Sequence, residues 1–416
     1  MSSAKAKFEF TALLLFALPL CAAPTYQDVE PILRARCRSC HSAGEMGPMP
    51  LMTYAGVRPW AKAIRDAVIS RKMPPWFADP HTGPFANDPS LSDAEISIIR
   101  DWVDAGAPQG TPSTEVPIVG SPDRHYDVEL SLPKPFRIPA KAVIDYQYFV
   151  LPHVFSEQWV SAAEIRPTDR RVVHHAVLYI REKDSKWLRD HDTNARDITS
   201  DILAIYTPGA PRMECPPGMA KKIPAGADLV LQVHYTSLDT ATSDQSEIRL
   251  LYATEPPTSR VLTLQMSQYN LRIPPGARNY RASVAGTVPC DALLLSMFPH
   301  MHLRGKGFEY QVLGTRGRVD TLLRVNNYDF NWQLTYILKT PLPLKAGTQL
   351  LFTGYFDNSA ANPRNPDPSQ EVEWGIKAGK RCWLVFSMWP CRLISTNRLS
   401  LFDDGKPYDQ RRTDKC

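Results

Sequence analysis

From about residue 25 to 110 the apolar positions recur at helical spacing. "TYQDVEPILRARC" reads as a short helix, and "RPWAKAIRDAVISRK" sets Trp60, Ile64, Val68 and Arg71 one turn apart. "LSDAEISIIRDWVDAG" opens on a capping box made by Ser92 and Glu95 and stops at Gly106. After "APQGTPSTEVPIVGSPDRHYDVELSLPKP", rich in Pro, Ser and Gly, the period changes to strand-length alternation. "DYQYFVL", "VVHHAVLYI", "ADLVLQVHYTS" and "SEIRLLYA" form one series. "VLTLQMS", "DALLLSMF", "FEYQVLG", "FNWQLTYIL", "TQLLFTGYFDNS" and "CWLVFSMW" form a second, after "TEPPTSR". Turn signals about every ten residues over this length predict two antiparallel β-sandwiches in tandem.

The expected organisation is multidomain: a leader at 1–23, a small all-α domain at 24–110, a Pro-rich linker at 111–135, and β-sandwiches at 136–256 and 257–410. Composition strengthens the β reading. Thirty-eight prolines against 21 glycines limit helix and favour short strands and turns. A net charge of +5, spread without a basic run, gives no ground for nucleic-acid binding. Lys5 and Lys7 precede an apolar run from Phe10 to about Leu20, too short to span a bilayer, and together they read as an export signal. Leu20 makes a poor lipid-attachment context for Cys21. A periplasmic or otherwise exported protein without a transmembrane helix, in a compartment that permits disulfides, is the expectation.

Cys37-Arg38-Ser39-Cys40-His41 has the Cys-x-x-Cys-His spacing that attaches haem c through two thiols while the adjacent His binds iron. A thioredoxin-like pair would need a βα context, and a zinc site a second ligand pair nearby; neither pattern flanks this motif. This identifies the helical region as a cytochrome c-like domain. Met46, Met49, Met52, Met73 and His81 are the candidates for the opposite axial ligand. Met73, stiffened by the prolines of "RKMPPWF", is the preferred one, with packing under the haem edge as the alternative.

In the β region, His300 and His302 of "FPHMHLRG" extend the strand "DALLLSM" and would share a face with Leu294, Ser296 and Phe298. They form either a two-point metal clamp or one buried polar group beside one surface residue. His234 shares its face with Val230 and Gln232, whereas Leu229, Leu231 and Val233 face a core. His174 and His175 are adjacent, and neighbours on a flat strand point to opposite sides. Both reach one metal only at a bulge or strand end. Five imidazoles on successive strands suggest two nitrogen-rich sites suited to copper or zinc. His191 lies in the loop "RDHDTNARD", and His125 and His153 complete the histidines of this region.

The ordered strings "VVHHAVLYI", "LVLQVHYT", "FPHMHLRGKGFEY", "YDFNWQ" and "FDNSAANPRNPDPSQEVEWG" resemble the copper type II, ascorbate-dependent monooxygenases, the family of peptidylglycine α-hydroxylating and dopamine β-monooxygenases. The whole chain resembles bacterial fusions of a c-type cytochrome with that module. The resemblance implies two jelly-roll-like β-sandwiches, each with one copper, facing each other across a solvent-filled cleft. It implies an electron-transfer copper on His174, His175 and His234, and a second copper on His300 and His302 where O2 binds and a substrate C–H bond is cleaved. The family's third ligand to that second copper is a methionine after a "WG" turn. Here "EWGIKAGKRCWLVF" offers Lys380, Arg381 and Cys382 instead, and Met388 comes later. An arginine has no lone pair to donate, and Cys382 also has Cys290 or Cys391 as disulfide partners. Cys215, Cys290, Cys382, Cys391 and Cys416 make an odd set, so at least one stays unpaired, and terminal Cys416 is the expected one.

Two functions follow. One is a monooxygenase-like oxidoreductase in which haem c, fed by a soluble or membrane electron donor, reduces copper that activates O2 toward a small-molecule or peptide substrate. The other is a non-catalytic electron-transfer or copper-binding protein with an altered second site.

Overall fold

The computed structural model describes residues 23–111, 124–189, 201–264, 266, 268, 270–314 and 318–374, and the backbone of 381–382 and 388–392. The segment expected to be an export signal, up to residue 22, residues 112–123 of the expected linker, His191, Lys380 and Cys416 lie outside the described residues. So do the side chains of Arg381, Cys382, Met388 and Cys391.

Helices α1 (Tyr26–Arg36), α2 (Tyr54–Val57), α3 (Ala61–Ile69) and α4 (Asp93–Asp104) pack around Val29, Leu33, Ile99 and Trp102, all fully buried. The Ser92 hydroxyl accepts the Glu95 N–H at 3.2 Å and the Glu95 carboxylate accepts the Ser92 N–H at 2.7 Å, so α4 starts on the expected box. Gly106, with φ of 87°, turns the chain out of it in the left-handed region that costs glycine least. Trp60 precedes α3 in a 3-10 turn and is 45% exposed, so it does not share the buried stripe of Ile64 and Val68.

The expected fold class, a small all-α cytochrome domain followed by two tandem sandwiches, is not what forms. The described chain is mostly strand, with short helices amounting to 12%, and the helical stretch does not stand as an all-α domain. Between α3 and α4 the backbone is extended and pairs with the β body through bridges Ala78↔Val325 and Phe85↔Leu338. Phe85 belongs to the large β core, and Trp76 and Phe77 pack against it. Trp76 lies 4.7 Å from Tyr336, ring centroid to centroid. The physical reason is burial: aromatic side chains gain more from the β core than from a few thin helices.

The strands do layer as sandwiches. In the first half, the four-stranded sheet Gln147–Val150, Asp228–Tyr235, Val173–Arg181 and Asp201–Tyr206 shares a core with strands Gln158–Arg166 and Glu247–Tyr252. In the second, the sheet Tyr280–Thr287, Gln349–Phe356, Gly305–Leu313 and Val319–Val325 packs on Ala292–Met297 and Tyr336–Leu344. The halves are not separate. Strands Met219–Ile223 and Ser259–Thr263 pair in parallel, so one nine-stranded sheet runs through both. Val177, Tyr179 and Val230, on the outer face of the first four-stranded sheet, belong to the second core. Fully burying each such side chain stabilises by roughly 1.5–3 kcal/mol, which welds the two halves face to face.

Candidate metal centre

The first four-stranded sheet positions three imidazoles. Strand Asp228–Tyr235 puts Leu229, Leu231 and Val233 into the first core and turns Val230, Gln232 and His234 to the opposite face, as the alternation predicts. On the neighbouring strand, Val173 pairs with Tyr235 and His175 with His234, so His174 is an extra residue between them. This bulge is the device that adjacent histidines need to aim at one point. His174 Nδ1 lies 3.0 Å from His175 Nδ1 and 3.3 Å from His234 Nδ1. Ligand atoms of all three fall within 4.8 Å of one another. Nitrogens about 2.0 Å from a shared ion stand about 3 Å apart, so the spacing fits a metal's ligand set.

The second pair of histidines does not extend a strand. Ala292–Met297 ends before them, and His300 and His302 lie in the connection to Gly305–Leu313. Leaving the strand frees the two rings from its two-sided geometry. His300 Nδ1 donates to Gln333 Oε1 at 2.5 Å, which fixes the tautomer with the lone pair on Nε2. Gln333 is itself oriented by donating to Phe330 O at 3.4 Å.

The two sets meet. The His175 and His300 rings are 5.5 Å apart between centroids, and His300 and His302 are 5.2 Å apart. His174, His175, His300 and His302 are 5%, 1%, 5% and 0% exposed. His234 alone is half-buried. Two sites separated by a solvent-filled cleft are therefore replaced by one continuous, buried cluster. Phe330 closes one side of it, stacked on His174 at 5.0 Å and tilted against His234 at 5.8 Å. Tyr146, which the sequence pattern does not single out, stacks on His234 at 4.8 Å and touches His175 and His302.

Burial favours the neutral form of His174, His175, His234 and His300. It lowers His174 to about 4 against small opposing effects from Phe330 and Asp329, and His234 to about 3 with help from His174 and His302. Burial, then the neighbouring rings, pushes His175 well below the ordinary range, and burial with His302 does the same to His300. The Nε2 atoms of His174 and His175 are buried with no hydrogen-bond partner among the described residues. Neutral, nitrogen-rich and poorly satisfied, this cluster is matched to a borderline metal such as copper or zinc.

The Cys-x-x-Cys-His motif follows α1. Cys37 and Cys40 are not bridged to each other. Burial raises the Cys37 thiol to about 11 and also raises Cys40, so both are thiols. His41 Nδ1 donates to Met49 O at 3.1 Å, leaving the Nε2 lone pair for iron. These features fit covalent haem. Met46, Met49, Met52 and Met73 are half-buried, and His81 is exposed. The Met73 N–H is tied back to Ala67 O at 3.2 Å.

The motif abuts the first β-half. A Cβ on Gly209 would stand 2.5 Å from Cys40 Sγ, so only glycine admits this approach. Glu45 pairs with Arg170 at 2.5 Å. A cavity of about 530 Å³ opens beside this contact, lined by Arg38, Ser39, Arg166, Tyr206 and Arg212 among others.

No family model and no curated protein matches the chain. Among solved structures, PNGase F, a glycosylasparaginase from Flavobacterium meningosepticum, is 8% identical with a TM-score of 0.31, covering 63% of this chain and 94% of its own. The major capsid protein P2 from bacteriophage PM2 is 11% identical with a TM-score of 0.24, covering 55% and 97%. Likenesses this weak assign neither fold family nor activity. Among the described residues, no helix is long and apolar enough to cross a membrane.

Proposed function

We propose that the chain is an exported redox protein that binds haem c at Cys37, Cys40 and His41 and copper at the five-histidine cluster, and that it acts as a copper-dependent monooxygenase. The observation that carries this reading is the meeting of His174, His175 and His234 nitrogens at 3.0 and 3.3 Å, one ring away from His300. Copper held there would supply one-electron redox chemistry and, with O2, the oxidation of a substrate C–H bond. The balance of such a hydroxylation is one O2, two electrons and two protons for one inserted oxygen atom and one water, with the electrons drawn from an external reductant.

The chain's own residues supply the path and the environment. Gly209 touches Cys40, and three residues earlier Tyr206 pairs with Ala176, the neighbour of His175. A haem edge at Cys40 would thus lie against the same hydrogen-bonded sheet that carries the copper ligands, making donor and acceptor intramolecular. Gln333 and the bulge at His174 hold ring orientation. Phe330 and the surrounding core exclude water. The half-buried His234 marks the side from which small molecules would approach.

Burial of His300 and His302 favours a second reading, in which the cluster stores copper or relays electrons without binding substrate. Metal analysis, a haemochrome spectrum and oxygen uptake by reduced, copper-loaded protein separate the two. Haem and copper with oxygen uptake that depends on an added C–H substrate support the monooxygenase. Haem and copper with no oxygen consumption support the relay. A protein that takes up neither group overturns both.

A further inference from the structure

The loop that shapes the histidine cluster is held by a segment of the helical region. Residues 326–335 join strands Val319–Val325 and Tyr336–Leu344 and reach the cluster through three side chains. The Tyr328 hydroxyl donates to Met301 O at 2.7 Å and accepts the Met301 N–H at 3.0 Å, which pins the backbone between His300 and His302. Phe330 stacks on His174, and Gln333 accepts from His300. Ordering each residue of such a connection costs about 1–2 kcal/mol of backbone entropy, so it keeps one geometry only where it is tied.

Residues 76–87, between α3 and α4, tie both ends of it. At the first end, the Asp79 N–H donates to Arg324 O at 2.7 Å and the Asn326 amide donates to the Asp79 carboxylate at 2.9 Å. At the second, the Asn87 side chain donates to Thr335 O at 2.7 Å and accepts the Ile337 N–H at 2.9 Å, the exchange that the backbone of a paired strand would make. The Ala86 N–H donates to Ile337 O at 2.7 Å beside it. Between the two ties, Trp76 and Phe85 close on the buried Tyr336 at 4.7 and 5.5 Å between ring centroids. Aromatic burial of this kind makes the segment a fixed strap.

We infer that the strap is a working part of the metal centre, with Asn87 a positioning residue that holds Gln333, and through it the His300 ring, in the geometry that binds copper. This rests on the copper reading above. Thr335, which Asn87 ties, is two residues from Gln333, whereas the Asp79 tie at Asn326 lies nearer Phe330. Loss of the Asn87 tie therefore frees the Gln333 side of the loop, and the His300 ring with it. The region that carries Cys37, Cys40 and His41 thus supports the histidine cluster by structure, across more than 200 positions of sequence.

The test compares the full-length haem protein as wild type, Asn87→Ala, Gln333→Ala and the double variant, by copper(II) titration and by amide hydrogen exchange of the copper-free form. In Asn87→Ala the copper equivalent held by His300 and His302 is expected to bind about 10-fold more weakly, the lower end of what losing a supporting group at a metal site costs, with the other equivalent unchanged. Amides of 327–335 are expected to exchange faster while those of the two β cores keep their protection. The double variant is expected to bind no more weakly than Gln333→Ala alone, because Asn87 acts through Gln333. An Asn87→Ala protein of wild-type affinity, losses that multiply in the double variant, or equal weakening of both equivalents overturns the positioning role and leaves the copper reading intact. A wild type that binds no copper overturns the copper reading and, with it, the role of Asn87 in binding copper. Exchange of 327–335 then decides the mechanical hold alone: faster exchange in Asn87→Ala upholds it, and unchanged exchange overturns it.

Discussion

The imidazole of His175, on a strand of the first β-half, lies 5.5 Å from that of His300, in a connection of the second. Two residues 125 positions apart in sequence thus share one buried cluster instead of facing each other across open solvent. The relationship depends on the welded halves: the same outer face that carries His175 also sends Val177 and Tyr179 into the second core.

Two copper(II) ions bound this close would be magnetically coupled. The EPR spectrum of fully oxidised protein loaded with two coppers is expected to show dipolar broadening and a half-field signal that are absent after one equivalent. A two-copper spectrum equal to the sum of two isolated copper(II) signals would place the ions in independent sites. His175→Ala is expected to weaken both equivalents of copper, because its ring contacts His174, His234 and His300 alike.

Gln333 is expected to matter without touching the metal. Its amide oxygen takes the Nδ1 proton of His300 and so presents Nε2 as the donor. Gln333→Ala removes that partner and lets the other tautomer compete. Copper affinity at the second site is expected to drop by about 10–100-fold with the first site unchanged. Equal losses at both sites would indicate general disruption of the cluster.

Much of this centre is legible in the sequence, and the rest fails for identifiable reasons. The alternation around His234 places its side chain correctly because a strand has only two faces. The doublet of His174 and His175 demands a bulge, and the register provides one. The His300 and His302 pair is misread as strand although Pro299, directly before His300, marks a break: the apolar run "DALLLSM" outweighs that single signal. Tyr146 is invisible in the pattern, since nothing local distinguishes it from the core-seeking aromatics beside it. The helical region reads correctly in its caps and incorrectly as an all-α domain. The bridges from Ala78 to Val325 and from Phe85 to Leu338 join residues about 250 apart, which no local pattern records.

The buried histidines set a pH dependence for the copper-free protein. Above the ordinary imidazole value of 6.5 both folded and unfolded chains carry neutral rings, and these groups contribute no slope. As pH falls below 6.5 the unfolded chain takes up protons that the folded chain refuses until about 4 at His174 and about 3 at His234. Stability therefore falls with pH across that window, by up to about 1.4 kcal/mol per unit for each such ring. The melting temperature of apo protein is expected to drop steeply from pH 6.5 to 4. A His174→Gln, His234→Gln variant is expected to show a shallower slope.

The strand that carries His174 and His175 is anchored at its far end by a second buried device. Arg181 pairs with Asp228 in register, through Nε at 2.7 Å and Nη2 at 2.5 Å, and donates a further bond to Trp187 O at 3.1 Å. Both side chains are largely out of water, at 5% and 12% exposure. Arg181→Ala leaves the Asp228 carboxylate only its longer pair with the partly exposed Arg189 guanidinium, at 3.5 Å, so it is expected to cost about 3 kcal/mol in chemical denaturation. Replacing both by apolar residues of similar size, Arg181→Met with Asp228→Leu, removes that carboxylate along with the guanidinium and is expected to recover most of that loss. Copper affinity separates anchoring from mere stability. If the pair fixes the histidine strand, the double variant stays folded but binds copper more weakly at the first site. If it serves stability alone, affinity returns with the fold.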